Sequence, residues 1–200
     1  TDTTGAHRRE LPDLPEDSGW TAKPGLDVVP GDDDQLVLSA WQDERYGLLE
    51  VDADGSLRAV ISRTDIELMC AHWDATGTMV VATDNWADAA SRAVVLVDTT
   101  GRRPSGPLPL PFASVGCAEF VGPDRLVVSQ AARTSTDVRG IWVVGVDGSE
   151  PRELFRYRSW CASSIGDVDL TGRYVAVHQT CVDPLESGVW VMDVTTGERK

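Results

Sequence analysis

Residues 70–98 read CAHWDATGTMVVATDNWADAASRAVVLVD. A short apolar start, the polar turn Asp74-Ala75-Thr76-Gly77, an apolar run, a longer polar loop and a second apolar run spell strand, tight turn, strand, loop, strand. The stretch closes on another turn, Asp98-Thr99-Thr100-Gly101. Residues 117–147 repeat the pattern as CAEFVGPDRLVVSQAARTSTDVRGIWVVGVD. This recurrence decides the architecture.

The third strand of the unit sets the register for the whole chain. Gly47-Leu48-Leu49-Glu50-Val51-Asp52, Ala93-Val94-Val95-Leu96-Val97-Asp98, Gly140-Ile141-Trp142-Val143-Val144 and Gly188-Val189-Trp190-Val191-Met192-Asp193 superpose at a period of about 47 residues. Each copy runs into a Gly-bearing turn, such as Asp147-Gly148 or Thr195-Thr196-Gly197. The second strands then align with Leu36, Met79, Leu126 and Tyr174 in one column. Their apolar stretches are continuous, which suits strands covered on both faces. Weaker outer strands follow at Ser56–Ile61, near Leu108–Leu110 and at Arg152–Phe155, where an edge tolerates proline and charge.

A repeat of about 40–50 residues holding four short strands is the signature of propeller blades, and no helical periodicity competes with it. The prediction is an all-β chain, a β-propeller of about four four-stranded blades forming a single domain over 1–200. The repeats fall approximately at 12–61, 62–110, 111–155 and 156–200, with 1–11 as an outer strand of a neighbouring or closing blade. Thr1-Asp2-Thr3-Thr4-Gly5 copies the turn at Asp98, with no strand in front of it. Either that first strand closes a ring of four, or the chain is part of a larger, six- to eight-bladed propeller. The stranded turn favours the second arrangement.

Trp73-Asp74-Ala75-Thr76-Gly77-Thr78-Met79-Val80-Val81 resembles the W-S-P-D-G blade motif of the TolB-like (WD40-like, PD40) propellers. Ile141-Trp142-Val143-Val144 with Asp147-Gly148 and Leu154 is similar to the companion motif of the same family, and so is Val189–Glu198. The first repeat matches least well, with Asp32-Asp33-Asp34 where a Gly turn belongs and with Pro24 and Pro30 in its first strand. The resemblance implies a propeller that serves as an interaction scaffold. Propellers of this class also cap the active site of prolyl-oligopeptidase-like peptidases.

Thirty-two acidic residues against eighteen basic give a net charge of -14, which argues against a nucleic-acid surface built on clustered Lys and Arg. No apolar run is long enough to span a bilayer, so direct membrane insertion is not expected. Four cysteines, Cys70, Cys117, Cys161 and Cys181, make an even set of the kind found in oxidising compartments, pointing to an extracytoplasmic location, bacterial by the resemblance. The segment before Thr1 is then read as a removed leader or anchor, or as the rest of a longer protein.

Cys70 and Cys117 occupy equivalent repeat positions, each followed two residues later by a possible ligand, His72 and Glu119. A disulfide, buried free thiols and a zinc site in the channel are all open readings, the metal being the weakest. Cys161 and Cys181 fall on one rim of the last blade, where a disulfide would stiffen the Val182-Asp183-Pro184-Leu185 loop. Asp167–Gly172 and Asp52–Gly55 have the spacing of ordinary Asx turns rather than of a calcium loop.

Trp41, Asp43, Trp86 and Asp88 fall between second and third strands, and the matching loops bring Arg133, His178 and Asp183. Aromatic residues beside carboxylates on one rim suit a peptide or sugar site, although each Trp could instead fold back over its own blade. Trp142 and Trp190 are expected in the core, and Trp20 and Trp160 in packing positions. No G-x-S-x-G, H-E-x-x-H or phosphate-binding loop occurs, so no catalytic residue, cofactor or metal is assigned. The expected role is non-catalytic, presenting loop tips to a protein, peptide or envelope ligand, with the propeller domain of a prolyl-oligopeptidase-like peptidase as the alternative.

Overall fold

In the computed structural model, residues 19, 21–28, 36–43, 45–52, 56–63, 68–84, 92–100, 103–131, 139–157, 161–169 and 171–200 are described. Within each sheet, strands adjacent in sequence pair antiparallel. The first sheet holds β1 (Thr21–Val28), β2 (Leu36–Gln42), β3 (Arg45–Val51) and β4 (Leu57–Arg63). The second holds β5 (Leu68–Trp73), β6 (Met79–Asp84), β7 (Ala93–Asp98) and the two-residue β8 (Arg103–Pro104). The third is β9 (Val115–Phe120), β10 (Arg125–Gln130), β11 (Arg139–Gly145) and β12 (Arg152–Tyr157). The fourth has β13 (Cys161–Val168), β14 (Tyr174–Cys181) and β15 (Gly188–Asp193), with a lone bridge from Met192 to Arg199 where an outer strand would run. A 3-10 turn, Pro184–Glu186, joins β14 to β15.

The hydrophobic core lies between sheets. Val37 and Leu48 of the first sheet pack with Ala71, Trp73, Val80, Val95 and Val97 of the second. Val81 and Val94 meet Val115, Ala118, Leu126, Val128 and Val144 of the third, and Val127, Ile141 and Val143 meet Ile165, Val175, Val177 and Met192 of the fourth. A strand interior to such a stack is apolar on both faces, which explains the continuous runs. Contacts run in series from first sheet to fourth, and among the described residues no strand of the first packs broadly on the fourth.

Two sequence expectations change. The outer strand of the second sheet is Arg103–Pro104, not Leu108–Leu110, because Pro104, Pro107, Pro109 and Pro111 have no N–H to extend a ladder. Scattered bonds from Ser105 N to Leu96 O and from Leu108 N to Val94 O hold that edge instead. The second strands also shift by one residue in two sheets. Val80 faces Val97 and Val175 faces Met192, as Leu126 faces Val144, so Val80 and Val175 belong in the column given above to Met79 and Tyr174. In an uninterrupted apolar run nothing marks the face, and only pairing resolves it.

Each innermost strand breaks register against its neighbour, with two residues opposing one in β5, β9 and β13. In β1 the shift falls between Ala22 and Leu26, around Pro24. Such bulges bend a strand and increase its twist, as the crowded inner edge of a radial array requires.

Turns lock one sheet to the next. Asp74 accepts hydrogen bonds from Thr78 N (2.9 Å), Met79 N (2.8 Å) and Thr76 Oγ1, while Gly77 turns the chain at φ 70°. Asp169 repeats the device with Arg173 N, Tyr174 N and Thr171 Oγ1. Gly172, at φ 69°, lies so close to the third sheet that a Cβ there would stand 2.7 Å from Val121 O. The Asp167–Gly172 turn is thus an Asx turn serving the fold.

Candidate functional site

The second strands end and the third strands begin on one rim of the stacked sheets, where Asp43 and residues 182–187 are the described parts of the connections. Trp41 is the penultimate residue of β2, paired with Tyr46, rather than a loop residue, and its ring is partly exposed. Asp43 forms the turn, exposed and in the left-handed region at φ 51°. His178 also lies within a strand, because β14 continues to Cys181; it is exposed on the outward face of the fourth sheet, opposite Ser164 and Val189. Asp183 caps the 3-10 turn by accepting from Leu185 N at 2.9 Å. Trp86, Asp88 and Arg133 lie outside the described residues, as do Trp20 and Trp160. Trp41 and Asp43 stand on the first sheet and His178 and Asp183 on the fourth, at opposite ends of the series, so they form no single cluster.

The apolar residues of this region belong to no motif. Among the described residues, the exposed large hydrophobics are Trp41, Val182, Leu185, Val189 and Val191. The first three are on the rim just described; Val189 and Val191 are on the outward face of the fourth sheet. Leu185 is 93% exposed. The one sequence signal was its place beside Pro184 in a loop flanked by Cys181, a loop too short to fold its apolar side chains back.

The cysteines form two bonds. Cys70 joins Cys117 across the second and third sheets, with Cα atoms 5.6 Å apart. Both sit at the register shifts of their inner strands, so the link spans one full repeat, 47 residues. Zinc therefore finds no thiolate here, and Glu119 is used otherwise: its Oε1 accepts from Val168 N of the fourth sheet at 3.1 Å. Cys161 and Cys181, directly opposite across β13 and β14, form the second bond. Their sulfur atoms lie close to the Glu186 carboxylate, but as a disulfide they offer no thiolate pair.

On the opposite rim a cleft of about 590 Å³ is lined by Asp124, Arg125, Asp147, Ser149, Glu150 and Arg152. Its polar groups serve turns and sheet contacts: Asp147 accepts from Ser149 N, and Arg152 donates to Val194 O of the next sheet at 2.6 Å. The Ser149 side chain and backbone hold the Asp147 carboxyl below the usual range. No carboxylate pair, nucleophile with a base, or metal cage assembles among the described residues.

No family model and no curated protein matches the sequence. Solved structures do. TolB from Acinetobacter baumannii is similar at a TM-score of 0.69 and 12% identity over 88% of this chain and 42% of that one. A putative TolB from Agrobacterium tumefaciens gives 0.68 and 14% over 90% and 64%. Oligopeptidase B from Trypanosoma brucei, with covalently bound antipain, gives 0.63 and 14% over 92% of this chain but 27% of that one. The chain thus spans less than two thirds of the length of each. At these identities the likeness speaks to fold, and with four antiparallel sheets stacked in series it is decisive: this chain has the β-propeller fold of the TolB-like proteins.

Proposed function

We propose that this chain is a non-catalytic binding module of the extracytoplasmic space, presenting the rim of second-to-third-strand connections to a protein or peptide. The observation that carries the reading is the distribution of exposed large apolar side chains. Trp41, Val182 and Leu185 lie at that rim, whereas among the described residues the opposite rim, with its Asp-anchored turns and polar cleft, exposes no large apolar side chain. Each end of the series thus sets exposed apolar groups beside an acidic one, Trp41 near Asp43 in the first sheet and Val182 and Leu185 around Asp183 in the fourth, a composition suited to contact. Trp86, Asp88 and Arg133 extend the same surface in this proposal, whereas His178 belongs to the outward face of the fourth sheet. Two disulfides support an oxidising compartment, and among the described residues no helix is long and apolar enough to cross a membrane.

The test is capture. The chain immobilised in envelope or culture-fluid extract should retain a protein partner that Trp41→Ala with Leu185→Asp releases, while the melting temperature stays within about 2 °C of wild type, as for surface changes. Retention of the same partner by the double variant would remove the rim from the reading.

The repeats at 12–61, 62–110, 111–155 and 156–200 act in this proposal as one propeller unit within a larger ring. A second reading, the propeller of a prolyl-oligopeptidase-like peptidase, is favoured by the likeness to oligopeptidase B. It requires a hydrolase domain with a G-x-S-x-G elbow in the same polypeptide.

A further inference from the structure

Trp142 and Trp190 hold the same place in the third and fourth sheets, opposite Val128 and Val177. Trp142 Nε1–H donates to Gln130 Oε1 at 3.0 Å. Gln179 stands where Gln130 does, each paired with the glycine of the following strand, Gly188 and Gly140. Its amide nitrogen, however, is turned to the second disulfide, donating to Cys181 Sγ at 3.1 Å, to Cys161 Sγ at 3.7 Å and to Glu186 O at 3.0 Å. Trp190 Nε1 is left buried with no acceptor among the described residues. A buried donor without a partner is rare enough to call for an explanation.

Trp190 is one wall of a cleft of about 270 Å³ at the seam of the third and fourth sheets, with Phe155, Tyr157 and Arg199 as further walls. The Arg199 guanidinium lies 3.8 Å from the centroid of the Phe155 ring and 5.0 Å from that of Trp190. No carboxylate pairs with Arg199 among the described residues, whereas the neighbouring Arg156 is taken by Glu153 at 2.7 Å. In a chain with 32 acidic residues an uncompensated guanidinium between two aromatic faces is conspicuous. Glu186 also lines the cleft, but at the disulfide end, where its Oε2 is 4.0 Å from Cys161 Sγ. An anion is thereby directed to the Arg199 end.

A cation and an indole N–H, both lacking acceptors among the described residues, call for a ligand that brings oxygens; flat aromatic walls call for a flat apolar group beside them. We infer that this cleft is a binding site for a carboxylate carried next to an aromatic group, with Arg199 and Trp190 Nε1–H as the donors. The site goes beyond the rim reading and uses none of that surface's exposed side chains, so either can fail without the other.

The experiment follows the indole N–H signals of the seven tryptophans in a ¹⁵N-labelled chain, with that of Trp190 identified from Trp190→Phe. Titration with N-acetyl-Gly-Phe bearing a free carboxylate should move the Trp190 signal saturably at millimolar concentration, and its C-terminal amide should bind at least tenfold more weakly. Phenylacetate as a third probe separates the sources. Binding equal to that of the dipeptide assigns the cleft to small aromatic acids, and tenfold weaker binding assigns it to peptide termini; both support the site. Arg199→Gln should lose at least tenfold in affinity while the other indole signals keep their wild-type positions. A Trp190 signal that does not move, or an acid and amide that act alike on the wild-type chain, would overturn the inference. The acid–amide comparison needs no variant, so it stands even if Arg199→Gln misfolds.

Discussion

Asp74 shows how one side chain can hold a turn and make it pH-sensitive. Burial acts to raise its pKa, but the Thr76 hydroxyl and the backbone N–H groups of Met79 and Thr78 outweigh it and hold the carboxyl below its ordinary 3.8. Asp169 is lowered likewise, chiefly by Thr171 Oγ1 and Tyr174 N. A folded-state pKa below the unfolded one adds stability that is fully present above the unfolded value and is lost as the pH falls through the folded value. Asp74→Ala should therefore destabilise by about 1–3 kcal/mol at neutral pH, from the stranded Thr78 and Met79 donors. Urea unfolding should show the gap to wild type beginning to narrow below about pH 4, where the unfolded carboxyl protonates, and narrowing until the pH has passed the lower native value. A gap of constant size down to pH 2 would mean that the charge plays no part. The turn was legible from Asp74 and Gly77 alone, since only a short acceptor followed by a residue tolerant of positive φ closes it.

At the scale of the element, the inner strands owe their function to their irregularity. The register shifts at Cys70 and Cys117 bring equivalent positions of neighbouring sheets to within bonding distance, and the Cys161–Cys181 bond ties the two ends of a hairpin that supports the Leu185 loop. In the loop-entropy account, removing the link over 47 residues costs about 4 kcal/mol and the one over 20 residues about 3 kcal/mol. Cys70→Ser with Cys117→Ser should accordingly lower the denaturant midpoint more than Cys161→Ser with Cys181→Ser, and in the oxidised wild type no free thiol should titrate. The reverse order would assign the Cys161–Cys181 bond a native-state role beyond constraining the chain. The sequence placed Cys70 and Cys117 at equivalent repeat positions but left disulfide, thiol and zinc open for them, because a bulge that swings a side chain toward the next sheet has no one-dimensional signature.

Across the whole molecule, the same column of residues meets two fates. Leu48, Val94 and Ile141 are fully buried against the following sheet, while Val189, at the same position in the fourth, is 69% exposed. Ser39, Thr83 and Ser129 are buried in the next column, and there the fourth sheet carries exposed His178. Ile141→Asp should prevent folding or cost more than about 4 kcal/mol, whereas Val189→Asp in this chain should stay within about 0.5 kcal/mol of wild type. In a longer polypeptide where a further blade covers the fourth sheet, Val189→Asp should become as damaging as Ile141→Asp. Thermal melts of both variants in the 200-residue chain and in any longer form decide whether that face is an interface.

The amino-acid sequence by itself determined the repeat, the strand–turn chemistry and hence the propeller, because period, apolar runs and Asp–Gly turns are local and recur at fixed spacing. Only the tertiary structure decided which face each strand presents, which cysteines bond, and which residues at equivalent positions are covered. Trp142 and Trp190 are alike in sequence context, yet one indole is satisfied by Gln130 and the other loses Gln179 to a disulfide. Burial, register and competition for hydrogen-bond partners depend on neighbours distant along the chain, and these exist only once the sheets have stacked.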